Sequence, residues 1–313
     1  MRDQLKKGTL SGLRKGWSGF IWVLKILIPI SFLTSLLEWS GFITPLDSLL
    51  GPSMHWLGLP AMAAFPLLVG IFAGPYGAIA AMGVLPFSRE EMTLIAIFIL
   101  IAHSLIQEGA IQGKSGLHPF KATLFRLGTA VITVALVAQL FGTAPERSEV
   151  LRAAVHASPP FISMLRSWAL STLDLAIRIF FILMVVITLL ELLKTLGWVD
   201  PAVRFLTPLL GLLGLSPRVG FLWITGAFFG LAFGSAIIVK EVEEGNLEKE
   251  ELERLHLSIG INHSVVEDPA LFMAIGLSPF WLYIPRLVMA ILVVRLYGLW
   301  QSYSKRMQRA KSQ

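Results

Sequence analysis

The stretch IAHSLIQE at residues 101–108 returns 160 residues later as INHSVVED at residues 261–268. The repetition continues downstream, because GLHPF at residues 116–120 returns as GLSPF at residues 276–280. Both copies place polar and ionisable side chains inside largely apolar sequence, where such groups are costly unless they have a task. The sequence therefore predicts a duplicated membrane protein with a polar site between the two copies.

Composition excludes a soluble globular protein. The chain is 55% hydrophobic and 15% charged, with a mean hydropathy of +0.72, whereas soluble proteins are roughly 25% charged. A membrane-spanning helix needs about 20 apolar residues. Seven stretches approach that length, which predicts an all-α, polytopic membrane protein: 20–39, 61–84, 94–106, 124–141, 175–193, 219–239 and 282–299.

Basic residues are concentrated at the two ends of the chain, which has a net charge of +6. Such clusters favour a cytoplasmic location for both termini and do not indicate nucleic-acid binding. We therefore expect a multi-pass protein of the prokaryotic inner membrane, surrounded by lipid. The first apolar run is too long for a cleavable signal peptide. The absence of cysteine excludes disulfides and thiolate metal sites.

The duplication also extends upstream, at an offset of 156 residues. It divides the chain into two membrane repeats with a linker between them and a short segment at each end. Residues 1–17 are expected to form a basic interfacial helix, and residues 18–142 the first membrane repeat. Residues 143–172 are interpreted as a linker with a short surface helix. Residues 173–302 form the second repeat, and residues 303–313 a basic cytoplasmic tail.

The orientation of the repeats depends on two glycine-containing segments, residues 60–84 and 216–240. If each segment crosses the membrane, each repeat has four spans and the copies are parallel. If each turns back, each repeat has three spans and the copies are inverted. The candidate positions for the break and for gating are Gly74, Pro75, Gly77, Gly230 and Gly234. These glycines could instead serve helix packing alone.

The distribution of basic residues favours the inverted arrangement. With both termini inside, that arrangement leaves four arginines outside and places eight basic loop residues inside, in agreement with the positive-inside rule. Inverted repeats with interrupted segments at matching positions are typical of secondary transporters whose site lies near the bilayer midplane.

The repeated polar residues form the candidate substrate and ion site. On continuous helices, His103 would share a face with Gln107, and His263 with Glu267. Each helix is expected to be interrupted just after an acid, at Gly109 after Glu108 and at Pro269 after Asp268, so that a carboxylate lies at the negative helix C-terminus. The full predicted set is His103, Ser104, Gln107, Glu108, His263, Ser264, Glu267, Asp268, Arg126 and Arg286.

The repeated arginines and histidines allow several roles. Arg126 and Arg286 could neutralise the acids, bind an anionic substrate, or extend to the membrane interface. Imidazole and carboxylate ligands also suit a divalent metal, for which His103, His263 and Glu267 are the candidates. A structural hydrogen-bonded pair is the simpler alternative for each copy.

These residues resemble those of the Gate, or nucleoside-recognition, domain family. The resemblance rests on the glycine-containing segments 68–82 and 224–239 and on the H-S-x-x-Q-E and H-S-x-x-E-D helices that follow them. Relatives are similar to parts of concentrative nucleoside transporters, ferrous-iron permeases and spore-maturation membrane proteins. The resemblance implies transport or gating. Iron transport and nucleoside specificity do not carry over, because the GTPase domain and membrane cysteines of the iron permeases are missing and the chain is shorter than nucleoside transporters.

The sequence thus favours a permease for a small polar or anionic solute, coupled to a proton or cation, and not an enzyme. No resident cofactor is expected beyond a possible divalent metal or coupling cation. The partners are lipid and a small solute or ion, with a homo-oligomer possible. Two alternatives remain open: an intramembrane metal-dependent enzyme, and a membrane assembly factor that needs a partner chain.

Overall fold

The computed structural model of the protein describes residues 2–42, 45–142, 159–245 and 247–311. The described residues form α-helices with two short 3-10 turns and no strand. In chain order the helices are α1 (Arg2–Trp39), α2 (Pro45–His55), α3 (Ala64–Met82), α4 (Arg89–Ala102), α5 (Leu105–Lys114), α6 (Pro119–Phe141), α7 (Phe161–Thr195), α8 (Val199–Leu212), α9 (Gly220–Phe229), α10 (Leu231–Glu243), α11 (Lys249–Asn262), α12 (Glu267–Ala274) and α13 (Pro279–Lys311).

The predicted fold class, an all-α polytopic membrane protein, is confirmed. Six helical segments of the described chain are long and apolar enough to cross a bilayer: Arg2–Trp39, Ala61–Met82, Arg89–Lys114, Pro119–Phe141, Phe161–Thr195 and Pro279–Gln308. Their large exposed apolar side chains are those expected where lipid replaces water as the surrounding solvent.

Helices α1 and α7 pack against each other in antiparallel orientation. Near one end, Lys15 Nζ lies 2.7 Å from Glu191 Oε1, and at the other end Trp39 Nε1 donates to the Pro159 carbonyl at 2.8 Å. Glycines at four-residue intervals allow the close approach. A Cβ at Gly12 would lie only 2.5 Å from the backbone Cα of Thr188.

The two glycine-containing segments turn back on themselves. Helix α3 contains a non-helical residue, Gly74 (φ 83°, ψ −176°), and Gly230 (φ 86°, ψ 160°) separates α9 from α10. Residues eight apart in a straight helix are about 12 Å apart. A Cβ at Gly70 would instead lie 3.1 Å from Ala78 Cβ, and a Cβ at Gly234 would overlap Gly226 Cα. We call residues 61–82 hairpin 1 and residues 220–243 hairpin 2.

The interrupted helix pairs α4–α5 and α11–α12 run antiparallel to each other. Contacts between them follow opposite sequence order from one end to the other: Arg89 with Gly276, His103 with His263, and Gln112 with His256. The start of one pair therefore lies beside the end of the other, and the two histidines meet midway. Each pair spans a similar length of chain, so the meeting point lies near the middle of the bundle.

Further contacts show which loops lie at each end of the bundle. At the Trp39 end, Leu37 packs with Met62, Leu85 and Phe87, and the Phe141 ring contacts the Trp281 ring. At the opposite end, which we call the Lys114 end, Lys121 Nζ lies 3.2 Å from Glu253 Oε1 and 3.1 Å from the Tyr297 hydroxyl, and Arg295 donates to the Leu212 carbonyl. Hairpin 1 thus enters from the Trp39 end and hairpin 2 from the Lys114 end.

The helix bounds differ from several segment boundaries expected from the sequence. Residues 1–17 and 18–39 are not separated, since α1 continues from Arg2 to Trp39. Residues 143–158 of the predicted linker lie outside the described residues, and residues 161–172 already belong to α7, whose sequence contains neither proline nor glycine. The expected tail at 303–313 continues α13 as far as Lys311.

Single cysteines in this cysteine-free chain can test the order of the bundle ends. We expect Ser40→Cys and Arg204→Cys to react with a membrane-impermeant maleimide from opposite sides of the membrane, because the loop after Trp39 and helix α8 lie at opposite ends. Labelling in intact cells and in inverted vesicles measures the two sides. Labelling of both positions from one side would contradict the arrangement.

The substitution Gly12→Ala tests the close packing of α1 on α7. The added methyl group meets backbone rather than a flexible side chain, so we expect a loss of about 1–3 kcal/mol, the usual cost of overpacking. Gly19→Ala is the matched control in the same helix, because its Cβ would lie 3.4 Å from the mobile end of Ile187. Thermal unfolding in detergent compares them. Equal melting temperatures for the two variants would show that the contact is not tight.

Candidate functional site: a buried histidine–carboxylate cluster

Two helix breaks with the same geometry create the site. His103 follows α4 in extended conformation (φ −89°, ψ 161°), and Ser104 has a φ of 47°. His263 follows α11 in the same conformation (φ −80°, ψ 161°), and Ser264 has a φ of 48°. A positive φ is uncommon outside glycine, and strained backbone of this kind clusters at functional sites.

The breaks precede the acidic residues, whereas the sequence placed the breaks after them. Glu108 lies in the first turn of α5, and Asp268 in the first turn of α12. Pro269 is tolerated there because a proline in the first helical turn has no preceding turn to clash with. The carboxylates therefore lie at positive helix N-termini, and the histidines lie at negative C-termini.

The breaks also separate the side chains that continuous helices would have paired. The prediction that His103 and Gln107 share a face is wrong: Gln107 is exposed, whereas His103 is buried. Glu267 does not pair with His263 either; its Oε1 accepts a hydrogen bond of 2.5 Å from the Tyr76 hydroxyl.

Two buried arginines cap the broken helices. Arg126 Nε donates to the Ile101 carbonyl at 2.8 Å, and its Nη2 donates to the His103 carbonyl at 3.0 Å. Both side chains are 1% exposed, which excludes extension to the interface. Arg286 makes equivalent bonds: its Nε and Nη2 donate to the Ile261 carbonyl at 3.1 and 2.9 Å, and its Nη2 donates to the His263 carbonyl at 3.0 Å. The arginines satisfy carbonyls that a helix end leaves without partners.

The cluster itself joins the two halves of the chain. The imidazole Nε2 atoms of His103 and His263 are 3.1 Å apart. The Glu108 carboxylate contacts both rings, at 3.2 Å from His103 Nε2 and 3.1 Å from His263 Nε2, and also Arg126 Nη1 at 2.5 Å. Asp268 Oδ2 lies 3.5 Å from His103 Nε2. Every member of this set is at least partly shielded from solvent, and both histidines are buried.

The tips of both hairpins lie against the two breaks. The Ser104 amide donates to the Gly70 carbonyl at 3.1 Å, and the Val265 amide donates to the Ala227 carbonyl at 2.7 Å. A Cβ at Gly74 would lie 3.0 Å from Ser104 Oγ, so only glycine suits the tip in both conformation and space. Gly77 permits the return arm to pass within contact distance of Val69, and Gly234 does the same beside Gly226.

Three ligand-type side chains are close enough to hold one metal ion. His103, His263 and Asp268 each offer one atom, and these atoms lie within 4.8 Å of one another. The sequence had proposed Glu267 as the third ligand, and the structure places Asp268 there instead. The reason is the break before the acids, which rotates Asp268 inward and leaves Glu267 facing Tyr76.

Two contributors to the site were missed in the sequence. Tyr76 is buried in an otherwise apolar hairpin, where its hydroxyl needs a hydrogen-bond partner. This polar group in apolar sequence was the signal that could have indicated a role in the site. His256, fully buried, contacts the Ser115 carbonyl through Nε2 at 2.9 Å, while Gln112 Nε2 donates to the His256 carbonyl at 3.2 Å. These bonds hold α5 against α11, beside the cluster.

Comparisons with known proteins agree with a membrane protein of this type. Residues 20–117 match the Gate family, described as nucleoside recognition, which confirms the resemblance for that part of the chain. The chain is also similar to YvoD of Bacillus subtilis (strain 168), described as an uncharacterized membrane protein. The two are 27% identical over 293 residues, which cover 92% of this chain and 93% of YvoD. No solved structure matches the chain.

Replacement of Arg126 by methionine tests the capping and ion-pair roles together. The variant leaves two carbonyls without their donor and Glu108 without its cationic partner, so we expect a loss of about 3–5 kcal/mol, typical of a broken buried pair. Arg286→Met is the matched control, because it removes comparable carbonyl bonds. We expect it to cost less.

The double variant Arg126→Met/Glu108→Gln separates the two contributions. Removal of the carboxylate charge should restore part of the lost stability, because no buried charge is then left without a partner. Thermal unfolding of the four proteins of the cycle gives the coupling. Simple additivity of the two single changes would show that the Arg126–Glu108 pair carries no stabilisation.

Proposed function

We propose that this chain is a multi-pass permease of the prokaryotic inner membrane, in which a small polar or anionic solute and a coupling proton or cation meet at the His103–His263 cluster. The observation that carries the proposal is the convergence of two helix breaks and two hairpin tips on one buried set of charged groups. Ionisable groups inside a membrane mark ligand or proton pathways by default.

The relation between the two halves supports alternating access. We infer that the halves are inverted repeats, because α4–α5 and α11–α12 run antiparallel and the hairpins enter from opposite ends. Matching backbone geometry at Ser104 and Ser264, and matching arginine caps, support the same inference. In inverted repeats, each half can adopt the conformation of the other. If the two halves exchange conformations, the site stays in place and its opening changes from one side of the membrane to the other.

One contact differs between the halves and is suited to act as a gate. The Tyr76 hydroxyl, just after the tip of hairpin 1, donates to Glu267 at the start of α12. The Trp22 ring of α1 packs edge-on against the Tyr76 ring, 5.7 Å away. At the position in the first half that corresponds to Glu267, Gln107 is exposed. We infer that this hydrogen bond closes the Trp39 side of the cluster and that its rupture opens that side.

The charges of the cluster suit cation or proton coupling. The cluster and its immediate neighbours contain three carboxylates, Glu108, Glu267 and Asp268, and two arginines, so ionisation of all three carboxylates leaves one negative charge. A bound proton or cation would neutralise that charge. The arginines remain bonded to backbone carbonyls, and their fixed positive charge favours a polar or anionic solute beside them.

Basic residues indicate which side is cytoplasmic. The Lys114 end carries Lys114, Lys121, Lys194 and the basic residues of α8 and of both termini, whereas Arg89 and Arg166 lie towards the Trp39 end. The positive-inside rule assigns the Lys114 end, and with it both termini, to the cytoplasm.

A ligand screen of the purified protein tests the proposal. We expect a nucleoside or an organic anion to raise the melting temperature of the wild-type protein at one of two pH values, since a ligand that binds the folded state stabilises it. The His103→Asn/His263→Asn variant should lose this shift, and His118→Asn, at an exposed histidine, should keep it. A positive ligand is then tested for exchange across proteoliposome membranes.

Coupling is tested with Glu267→Gln/Asp268→Asn. We expect this variant to remain folded and to lose the pH or cation dependence of ligand binding. Failure of the variant to accumulate as folded protein would support a structural role for the carboxylates. A screen without any specific ligand would contradict the permease proposal and favour an assembly factor that needs a partner chain.

A further inference from the structure

We propose that the cluster binds one divalent transition-metal ion, of which Zn²⁺ fits best, through His103 Nε2, His263 Nε2, a Glu108 carboxylate oxygen and Asp268 Oδ2. The inference deepens the proposed function, because it names the class of cation taken by the permease site. It rests on that function only for the role of the ion, since binding itself can be measured without transport.

The spacing of the four donor atoms carries the proposal. A tetrahedral zinc ion with bonds of about 2.0–2.1 Å holds its ligand atoms about 3.3–3.4 Å apart. The two histidine Nε2 atoms are 3.1 Å apart, Glu108 Oε1 lies 3.2 Å from His103 Nε2, and Asp268 Oδ2 lies 3.5 Å from His103 Nε2. One ligand atom each of His103, His263 and Asp268 lies within 4.8 Å of the other two. Donors from both halves of the chain thus surround one point, and three of their separations are close to those of a tetrahedral site.

The hydrogen bonds around His103 leave its metal-binding nitrogen available. A carbonyl oxygen can only accept, so the 2.8 Å contact between His103 Nδ1 and the Ile99 carbonyl places the proton on Nδ1. The lone pair of a neutral ring is then on Nε2, which faces the cluster. Metal-binding histidines commonly donate their other nitrogen to a carbonyl in this way, which fixes the tautomer and the ring orientation.

A buried oxygen without a donor points to a missing positive partner. Asp268 Oδ2 has no hydrogen-bond donor of good geometry, and Asp268 is only 5% exposed. Buried carboxylate oxygens need a hydrogen bond, a cation or a metal. Glu108 can serve the metal with Oε1 while Oε2 stays beside Arg126, so the arginine holds the carboxylate in position.

The donor set selects the class of ion. Two imidazoles with two carboxylates suit zinc and its neighbours in the first transition row, whereas Mg²⁺ and Ca²⁺ prefer oxygen ligands alone. The absence of cysteine from the chain excludes thiolate sites. The ion would bind between the two helix breaks, and so it would link the halves whose relative movement the permease requires.

Titration of the full-length protein with Co²⁺ and Zn²⁺ in detergent tests the site. After removal of metal by a chelator and dialysis, we expect one saturable Co²⁺ site per chain with the intense visible absorption of tetrahedral Co²⁺. Zn²⁺ should displace this ion stoichiometrically, and excess Mg²⁺ should not. Because the chain has no cysteine, thiolate ligands cannot contribute to the absorption.

Residues outside the cluster supply matched controls. Asp268→Asn and His263→Asn should each weaken Co²⁺ binding at least tenfold or abolish it. Glu90→Gln changes an exposed carboxylate outside the cluster, and His118→Asn changes an exposed histidine; both variants should retain one equivalent of Co²⁺. Absence of saturable binding in the wild-type protein, or equal effects of Asp268→Asn and Glu90→Gln, would overturn the proposal. Size-exclusion chromatography of each variant shows that a loss of binding is not a loss of fold.

The metal titration and the solute screen test the two proposals separately. If no metal binds but a nucleoside or organic anion still stabilises the wild-type protein, the metal site is refuted and the permease proposal stands. If one Zn²⁺ binds and neither ⁶⁵Zn²⁺ nor any solute exchanges across proteoliposome membranes, the metal site stands and the permease proposal is refuted. Uptake of ⁶⁵Zn²⁺ that Asp268→Asn abolishes would identify the ion as cargo or coupling cation.

Discussion

The structure depends on the capping of two broken helices inside a membrane. A helix end leaves backbone carbonyls without partners, and within a bilayer no water is available to bind them. Arg126 and Arg286 supply the missing donors, each to carbonyls at its own break. Because each arginine is fixed by backbone atoms, its charge has a fixed position as well, and that charge allows carboxylates to remain beside the breaks.

The antiparallel arrangement of the two halves explains why the breaks meet. Each interrupted pair is broken near its middle, so two such pairs side by side in opposite directions bring break to break. The hairpins then enter from opposite ends, and their glycine tips reach the same level. One geometric relation therefore gathers histidines, carboxylates and hairpin tips that are far apart in sequence. The tight α1–α7 pair lies beside this assembly, with its own polar contacts at both ends.

Part of the site could be predicted because a membrane makes polar residues conspicuous. His103, Glu108, His263, Asp268 and both arginines stand out in apolar sequence and recur in both copies. Helical spacing predicts that Gln107 shares a face with His103, but Gln107 is exposed, because Ser104 adopts a left-handed conformation and interrupts the helix between the two residues. Glu267 was assigned to the wrong partner for the same reason. Helical spacing fails wherever a break lies between the residues compared.

The sequence by itself determined the all-α membrane class, the candidate positions of the two glycine breaks and the identity of most charged residues in the cluster. These follow from composition, from the conformational freedom of glycine and from the cost of burying charge, all of which are local properties. Whether the glycine segments cross or turn back was left open, because that depends on packing. Only the tertiary structure decided where the helices break, which carboxylate faces the histidines and what the arginines bind. Those outcomes depend on contacts between residues about 160 positions apart, such as His103 with His263. No local pattern specifies the distance between two such side chains, because it is fixed by how whole helices pack.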